Sequence, residues 1–122
     1  MKIFVYGTLK KDFNNHHILE GVKSKFLAKA TSTKKFPMFI LNEPFPYLQD
    51  NIGVGNFIKG EVFEVDDKHE ERLDDFEGVP YLYKKGLIEV QSDIGMVIVA
   101  NCYFKGRDVS LKDLELLSNY KG

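Results

Sequence analysis

Residues 56–91, "NFIKGEVFEVDDKHEERLDDFEGVPYLYKKGLIEVQ", decide the architecture, because the chain changes backbone periodicity twice within them. Asn56 to Val65 alternates apolar and polar side chains, the signature of a strand with one face covered. Gly60 interrupts it and predicts a bulge or a close backbone approach. Asp66 is a suitable N-cap for a helix from about Asp67 to Glu77, with Glu70 and Glu71 near its positive end. Leu73 and Phe76, three apart, give that helix an apolar stripe. Gly78 then stops it and Pro80 prevents its return. From Tyr81 the pattern is again that of a strand, running to Gln91.

Glu77 is left at the last helical position, where unpaired carbonyls are negative and a carboxylate costs up to about 1 kcal/mol. An acid at that point is either an ordinary exposed side chain or a group placed for its proton. If it faces a pocket, burial and helix-end carbonyls together favour its neutral form. Its pKa is then drawn toward the range useful for proton transfer near neutrality.

The rest of the chain reads mainly as strands. Lys2 to Tyr6 is a short β-rich run stopped by Gly7, and Val22 to Thr33 reads as a long strand. "PMFILN" is a strand begun by Pro37, and Met96 to Phe104 pairs with Tyr81 to Gln91 through the turn "SDIG". "DFNNHHILEG" predicts a short helix ending at Gly21. "SLKDLELL", with Ser110 as cap and Asp113 three residues on, predicts a last one. Glu43 to Gly55, rich in proline and glycine, reads as loop. Many strands with few short helices give an α+β fold, and so small a sheet hides its edges best by curving toward a barrel.

Composition narrows the function classes. The 122 residues are 43% apolar, enough for a single domain spanning 1–122. A net charge of −1, with the Lys-Lys pairs scattered, argues against a nucleic-acid surface. Cys102 is the only cysteine, so neither an intrachain disulfide nor a Cys-based metal site is expected. His16 and His17 are adjacent and point to different faces, and His69 lies on a charged helix, so no metal is expected. No apolar run approaches the ~20 residues a membrane span needs, and the N-terminus lacks a secretory h-region, which makes a cytoplasmic protein without membrane partner the expectation. Oligomeric state is not legible. "VYGTLK" at Val5–Lys10 can present several backbone N–H groups in one direction, a nest suited to a carboxylate or oxyanion. Tyr81, Tyr83 and Tyr103 read as core or pocket wall.

Taken in order, "VYGTLK" (5–10), Asn15-His16 with Leu19, "FPMFIL" (36–41), "GVGNFIKGEVFEV" (53–65), "LDDFEGVPYLY" (73–83) and Tyr103 resemble the γ-glutamylcyclotransferase-like, or AIG2-like, family, closest to its γ-glutamylamine branch. The resemblance spans about residues 2 to 105. It implies a small mixed β-barrel flanked by short helices, with a cavity between the first loop and the acid. It implies a γ-glutamyl substrate held by Tyr6, Gly7, Thr8 and Leu9, with Tyr83 and Tyr103 also binding, and Glu77 as the one proton-shuttling group. Asp74 and Asp75 compete for that role, but Asp74 matches a structural position of the pattern. No cofactor is implied, since the substrate's own α-amine attacks its γ-carbonyl to give 5-oxoproline. The loop Glu43 to Asn51 is expected to shape the leaving-amine side. Two departures stand out: Lys11-Asp12 where relatives carry Arg-Gly, and Lys85 where they often carry Arg, whose planar fork Lys lacks. Other γ-glutamyl compounds as substrate, or a non-catalytic small-molecule binder, are the competing readings.

Overall fold

The computed structural model describes residues 1–122 apart from Asn14, Val22 and Pro80. Two expectations therefore lie outside the described residues: Val22 as a strand start and Pro80 as the residue that keeps the helix from resuming. The elements run β1 (Lys2–Val5), α1 (His17–Gly21), β2 (Ser24–Phe36), β3 (Met38–Ile40), β4 (Pro46–Leu48), β5 (Asn56–Val65), a 3₁₀ turn (Asp67–His69), α2 (Glu70–Glu77), β6 (Tyr83–Ser92) and β7 (Val97–Lys105). Five strands close a barrel in the order β1-β5-β2-β6-β7, and β3 with β4 forms a separate two-stranded sheet. Neighbours in the barrel are antiparallel except β1 and β7, which meet in parallel at Ile3 and Asn101. The barrel is thus mixed, as the resemblance implied. Among the described residues no helix is long and apolar enough to cross a membrane.

Strand alternation divides the core in two. Phe4, Ile58, Val62, Val90, Cys102 and Phe104 come from four barrel strands and pack together, and Ala30 and Phe36 of β2 join them, so this cluster fills the barrel. The alternate residues Ile3, Val5, Phe63 and Tyr103 point the other way and pack with Leu19 of α1 and Leu73 of α2. Helices cover that outer face, which is why "IFV" in β1 is apolar at every position rather than at every second one. Gly60 meets the expectation of a close approach. A Cβ built there would lie 2.4 Å from Val5 O and 2.6 Å from the Phe4 ring.

Two sequence expectations are corrected. "SLKDLELL" forms no helix: beyond a single turn from Leu111 to Leu114, the tail is irregular. Ser110 Oγ does accept from Lys112 N at 3.3 Å, but the backbone that follows bonds to β3 and to barrel strand β5 instead. Leu117 N–H donates to Met38 O at 2.8 Å, and Ser118 O accepts from Lys59 N at 2.8 Å. Tertiary partners outweigh a modest helix propensity. Within the predicted loop Glu43 to Gly55, Pro46–Leu48 pairs with β3, Met38 opposite Leu48. Pro46 leads its strand, a position where a missing N–H does no harm.

Because the atom that Gly60's Cβ would strike is a backbone oxygen of β1, Gly60→Ala has to shift β1 against β5. Overpacking of that kind costs about 1–3 kcal/mol. Urea denaturation should show the midpoint falling accordingly with an unchanged m-value.

Candidate active site

The acid is positioned by the way α2 ends. Asp66 accepts from Lys68 N at 3.0 Å and starts the helical segment. At its other end Gly78 adopts φ 68°, and the N–H groups of Gly78 and Val79 reach back to Asp75 O (3.1 Å) and Asp74 O (3.0 Å). The helix therefore closes on Glu77. Leu73 is fully buried, and Glu77, four residues later, lies on the same helix face and turns inward with it.

The first loop is held from several sides. Tyr6 Oη donates to Tyr103 O at 2.5 Å. Thr8 accepts twice from Asn15, at Oγ1 from Nδ2 (2.9 Å) and at its carbonyl from the backbone N–H (3.1 Å). His16 Nδ1 lies 2.9 Å from Leu9 O. The "NH" pair in the sequence is thus a brace for the loop. Lys10 is buried, with Nζ donating to Tyr120 O (2.8 Å) and Asn119 Oδ1 (3.0 Å). Tyr120 Oη in turn donates to Pro44 O at 3.0 Å, tying the loop to the segment that faces it. Gly7 packs closely against Pro46: a Cβ there would lie 3.0 Å from Pro46 Cγ, so the ring would have to yield by a few tenths of an ångström. Among the described residues, the N–H groups of Gly7, Thr8 and Leu9 have no protein acceptor.

Loop and acid share one cavity of about 190 Å³. Tyr6, Gly7, Thr8 and Leu9 line it together with Glu77, Tyr83 and Tyr103, whereas Tyr81, read from the sequence as core or pocket wall, is 86% exposed and lies outside it. Phe45, Pro46, Phe76 and Leu82 form much of the remaining wall, which Phe4, Val5 and Asn15 complete. The loop Glu43 to Asn51 was expected on that side, but Phe76 and Leu82 were not, because apolar residues flanking a helix end look like core. Tyr83 stacks on Tyr47 at 5.6 Å between centroids. Asp74, one turn before Glu77, accepts from Tyr103 Oη (2.7 Å) and from Lys85 Nζ (3.0 Å), and Lys85 also bonds Glu70 at 2.6 Å. Asp74 is structural, as the resemblance implied. Lys85 is spent on two acids and does not line the cavity.

With this geometry in place, four likenesses are informative. The family model described as "Gamma-glutamyl cyclotransferase, AIG2-like" matches residues 3–121. A Methanocaldococcus jannaschii protein provisionally named gamma-glutamylcyclotransferase is 37% identical over 103 residues, 84% of this chain and 82% of that protein. The human gamma-glutamylaminecyclotransferase is 38% identical over 93 residues, 73% of this chain but only 61% of the human one, so the match spans about three-fifths of that relative's length. The crystal structure of an AIG2-like protein from Mus musculus superposes with a TM-score of 0.90 at 29% identity, covering 98% of this chain and 87% of that one.

Burial pushes Glu77 from its ordinary 4.5 to about 7. The sequence reading gave helix-end carbonyls a share in this shift, whereas burial accounts for it. Among the described residues no hydrogen bond reaches the carboxylate to offset its desolvation. Burial likewise raises the phenols of Tyr6, Tyr83 and Tyr103, and the negative charge of Glu77 adds to each, so all three stay protonated as donors. Since Glu77's folded pKa lies above its unfolded one, its charge destabilises the fold above pH 7 by on the order of 3 kcal/mol. That cost fades between pH 7 and 4.5 and vanishes below, where both states are protonated. Glu77→Gln should therefore melt higher than the parent at pH 8, with the two melting curves converging by about pH 4.5.

Proposed function

The chain belongs to the gamma-glutamyl cyclotransferase, AIG2-like family, and on that premise we propose that it cyclises a γ-glutamylamine, releasing 5-oxoproline and a free amine. The observation that carries this reading is Glu77: a carboxyl withdrawn from water, titrating near neutrality, on the wall of the cavity bordered by the Gly7–Leu9 amides. Such a pair suits a reaction in which the substrate supplies its own nucleophile.

The α-nitrogen of the γ-glutamyl group forms a bond to the γ-carbonyl carbon, and the bond from that carbon to the amine half breaks. Folding the substrate so that these atoms meet is worth about 7–11 kcal/mol, because attack is then intramolecular and oriented. Before attack, Glu77 as carboxylate takes one proton from the α-ammonium and frees its lone pair. After ring closure it delivers that proton to the departing nitrogen, which is otherwise a very poor leaving group. The second proton, acidified once the ring nitrogen is bonded to carbon, follows the same route and leaves the product amine as an ammonium ion. A pKa close to the working pH keeps the group useful in both directions, worth about 10²–10⁴-fold. The N–H groups of Gly7, Thr8 and Leu9 hold the bound molecule's negative oxygen, α-carboxylate or developing oxyanion. Tyr83, kept as a phenol whose hydroxyl makes only a long contact to Pro46 O at 3.5 Å among the described residues, supplies a donor, while Tyr6 and Tyr103, whose hydroxyls are committed to Tyr103 O and Asp74, complete a wall that excludes water. A buried, free Cys102 suits the reducing cytoplasm as working compartment.

Incubation with γ-glutamyl amides should release 5-oxoproline, with kcat/KM rising with pH through an apparent pKa of about 7. Glu77→Gln should lose at least 10²-fold in kcat while calorimetry still detects substrate binding. Turnover by that variant at the parent rate would remove Glu77 from the mechanism.

A further inference from the structure

Two buried side chains beside the amide loop have no task in the proposed proton transfer. Lys10 and Tyr120 are 7% and 6% exposed. A lysine so buried ordinarily has an acid partner. Here Nζ donates instead to two neutral acceptors, Tyr120 O at 2.8 Å and Asn119 Oδ1 at 3.0 Å, and lies 5.1 Å from the centre of the Phe13 ring. Burial lowers the pKa of this ammonium, so a hydrocarbon side chain would fill the same place at less cost to the fold. A lysine kept there points to the bonds its ammonium makes.

Those bonds run from one side of the cavity to the other. Lys10 N donates to Gly7 O at 3.1 Å, closing the turn that carries the loop amides, so a hold on the Lys10 side chain is a hold on Gly7 to Leu9. Tyr120 takes that side chain with its carbonyl and, through Oη, donates to Pro44 O at 3.0 Å. Pro44 leads into Phe45 and Pro46, which line the cavity, and Gly7 approaches Pro46 closely. Tyr120 is not itself a lining residue. Its place is set by the tail that precedes it: Gln49 and Val109 bond each other twice, Asn56 Nδ2 donates to Leu116 O at 2.9 Å, and Lys59 N donates to Ser118 O at 2.8 Å. Resting on the cyclotransferase reading above, we infer that Lys10 and Tyr120 are positioning residues. In series, loop to Lys10 to Tyr120 to Pro44, they fix the separation of the amide loop from the Phe45–Pro46 wall. That separation holds the γ-glutamyl group in the folded conformer its own α-amine can attack, although neither residue touches the substrate. A wall displaced by about 1 Å can cost such a reaction on the order of 10²-fold.

The test measures 5-oxoproline release from γ-glutamyl-ε-lysine and γ-glutamylalanine by the full chain, using the compound that the parent turns over faster. Tyr120→Phe removes the hydroxyl that reaches Pro44 and keeps the carbonyl that holds Lys10. It should lower kcat by about tenfold or more, while KM and the apparent pKa of the rate profile stay at their parent values. Lys10→Met breaks the other link and should lose as much. Because the links act in series, the double variant should be no slower than the slower single one. Melting curves taken alongside keep every assay well below the variant's midpoint. If Lys10→Met does not fold, Tyr120→Phe decides alone. Parent-like kcat in Tyr120→Phe, an apparent pKa that moves with it, or losses that multiply in the double variant overturn the inference and leave the proposed function standing. No 5-oxoproline from either compound with the parent overturns both.

Discussion

The insertion of β1 between β5 and β7 is the constraint on which the remainder depends. Four antiparallel pairs, from Lys2 opposite Glu64 to Val5 opposite Glu61, lock one edge. A single parallel contact between Ile3 and Asn101 closes the other. Closure removes the open edges that a five-stranded sheet would otherwise expose. It also delivers Tyr6 to Leu9 to one mouth of the barrel, where the chain leaves β1. The fit is close because Gly60 has no side chain, letting β5 approach Phe4 and the Val5 carbonyl. Position and chemistry of the amide loop thus derive from one strand insertion.

Asp74 and Glu77 show how environment separates two carboxylates less than one helical turn apart. Asp74 receives Tyr103 Oη and Lys85 Nζ, and its charge ties α2 to β6 and β7. Glu77 receives no hydrogen bond among the described residues and is half neutral near pH 7. Both lie on the short helix that covers the barrel's outer face. The first stabilises the arrangement, while the second costs stability at the one charged side chain that lines this cavity among the described residues, the pattern expected of a group retained for its reactivity.

Much of this was legible in the residues because local physics and the final structure agree. Asn56 to Val65 alternates cleanly and forms β5 over the same residues, and Gly78 ends α2 where a left-handed residue was needed. The loop and acid were legible as an ordered set of motifs; that they border one cavity follows only from barrel closure. What could not be read depends on distant partners. Ser110 to Leu117 has helical spacing, yet Met38, Asn56 and Lys59 claim its backbone. Pro46 to Leu48 is too short for periodicity to register. The apolar wall formed by Phe76 and Leu82 looks like core in sequence because nothing local reveals its exposure. The Lys85 bridge to Glu70 and Asp74 likewise joins groups that no motif connects.

The Lys10–Tyr120 link has a consequence for biogenesis. A ribosome delivers the amide loop first and its fastener 110 residues later. The strands can therefore zip into a ring while the mouth still lacks its clasp, since Tyr120 also grips the Pro44 carbonyl across from the loop. Closing so distant a contact is among the slow, entropically costly events of folding. The mouth is thus fastened only once Tyr120 has emerged, rather than by degrees as the polypeptide grows.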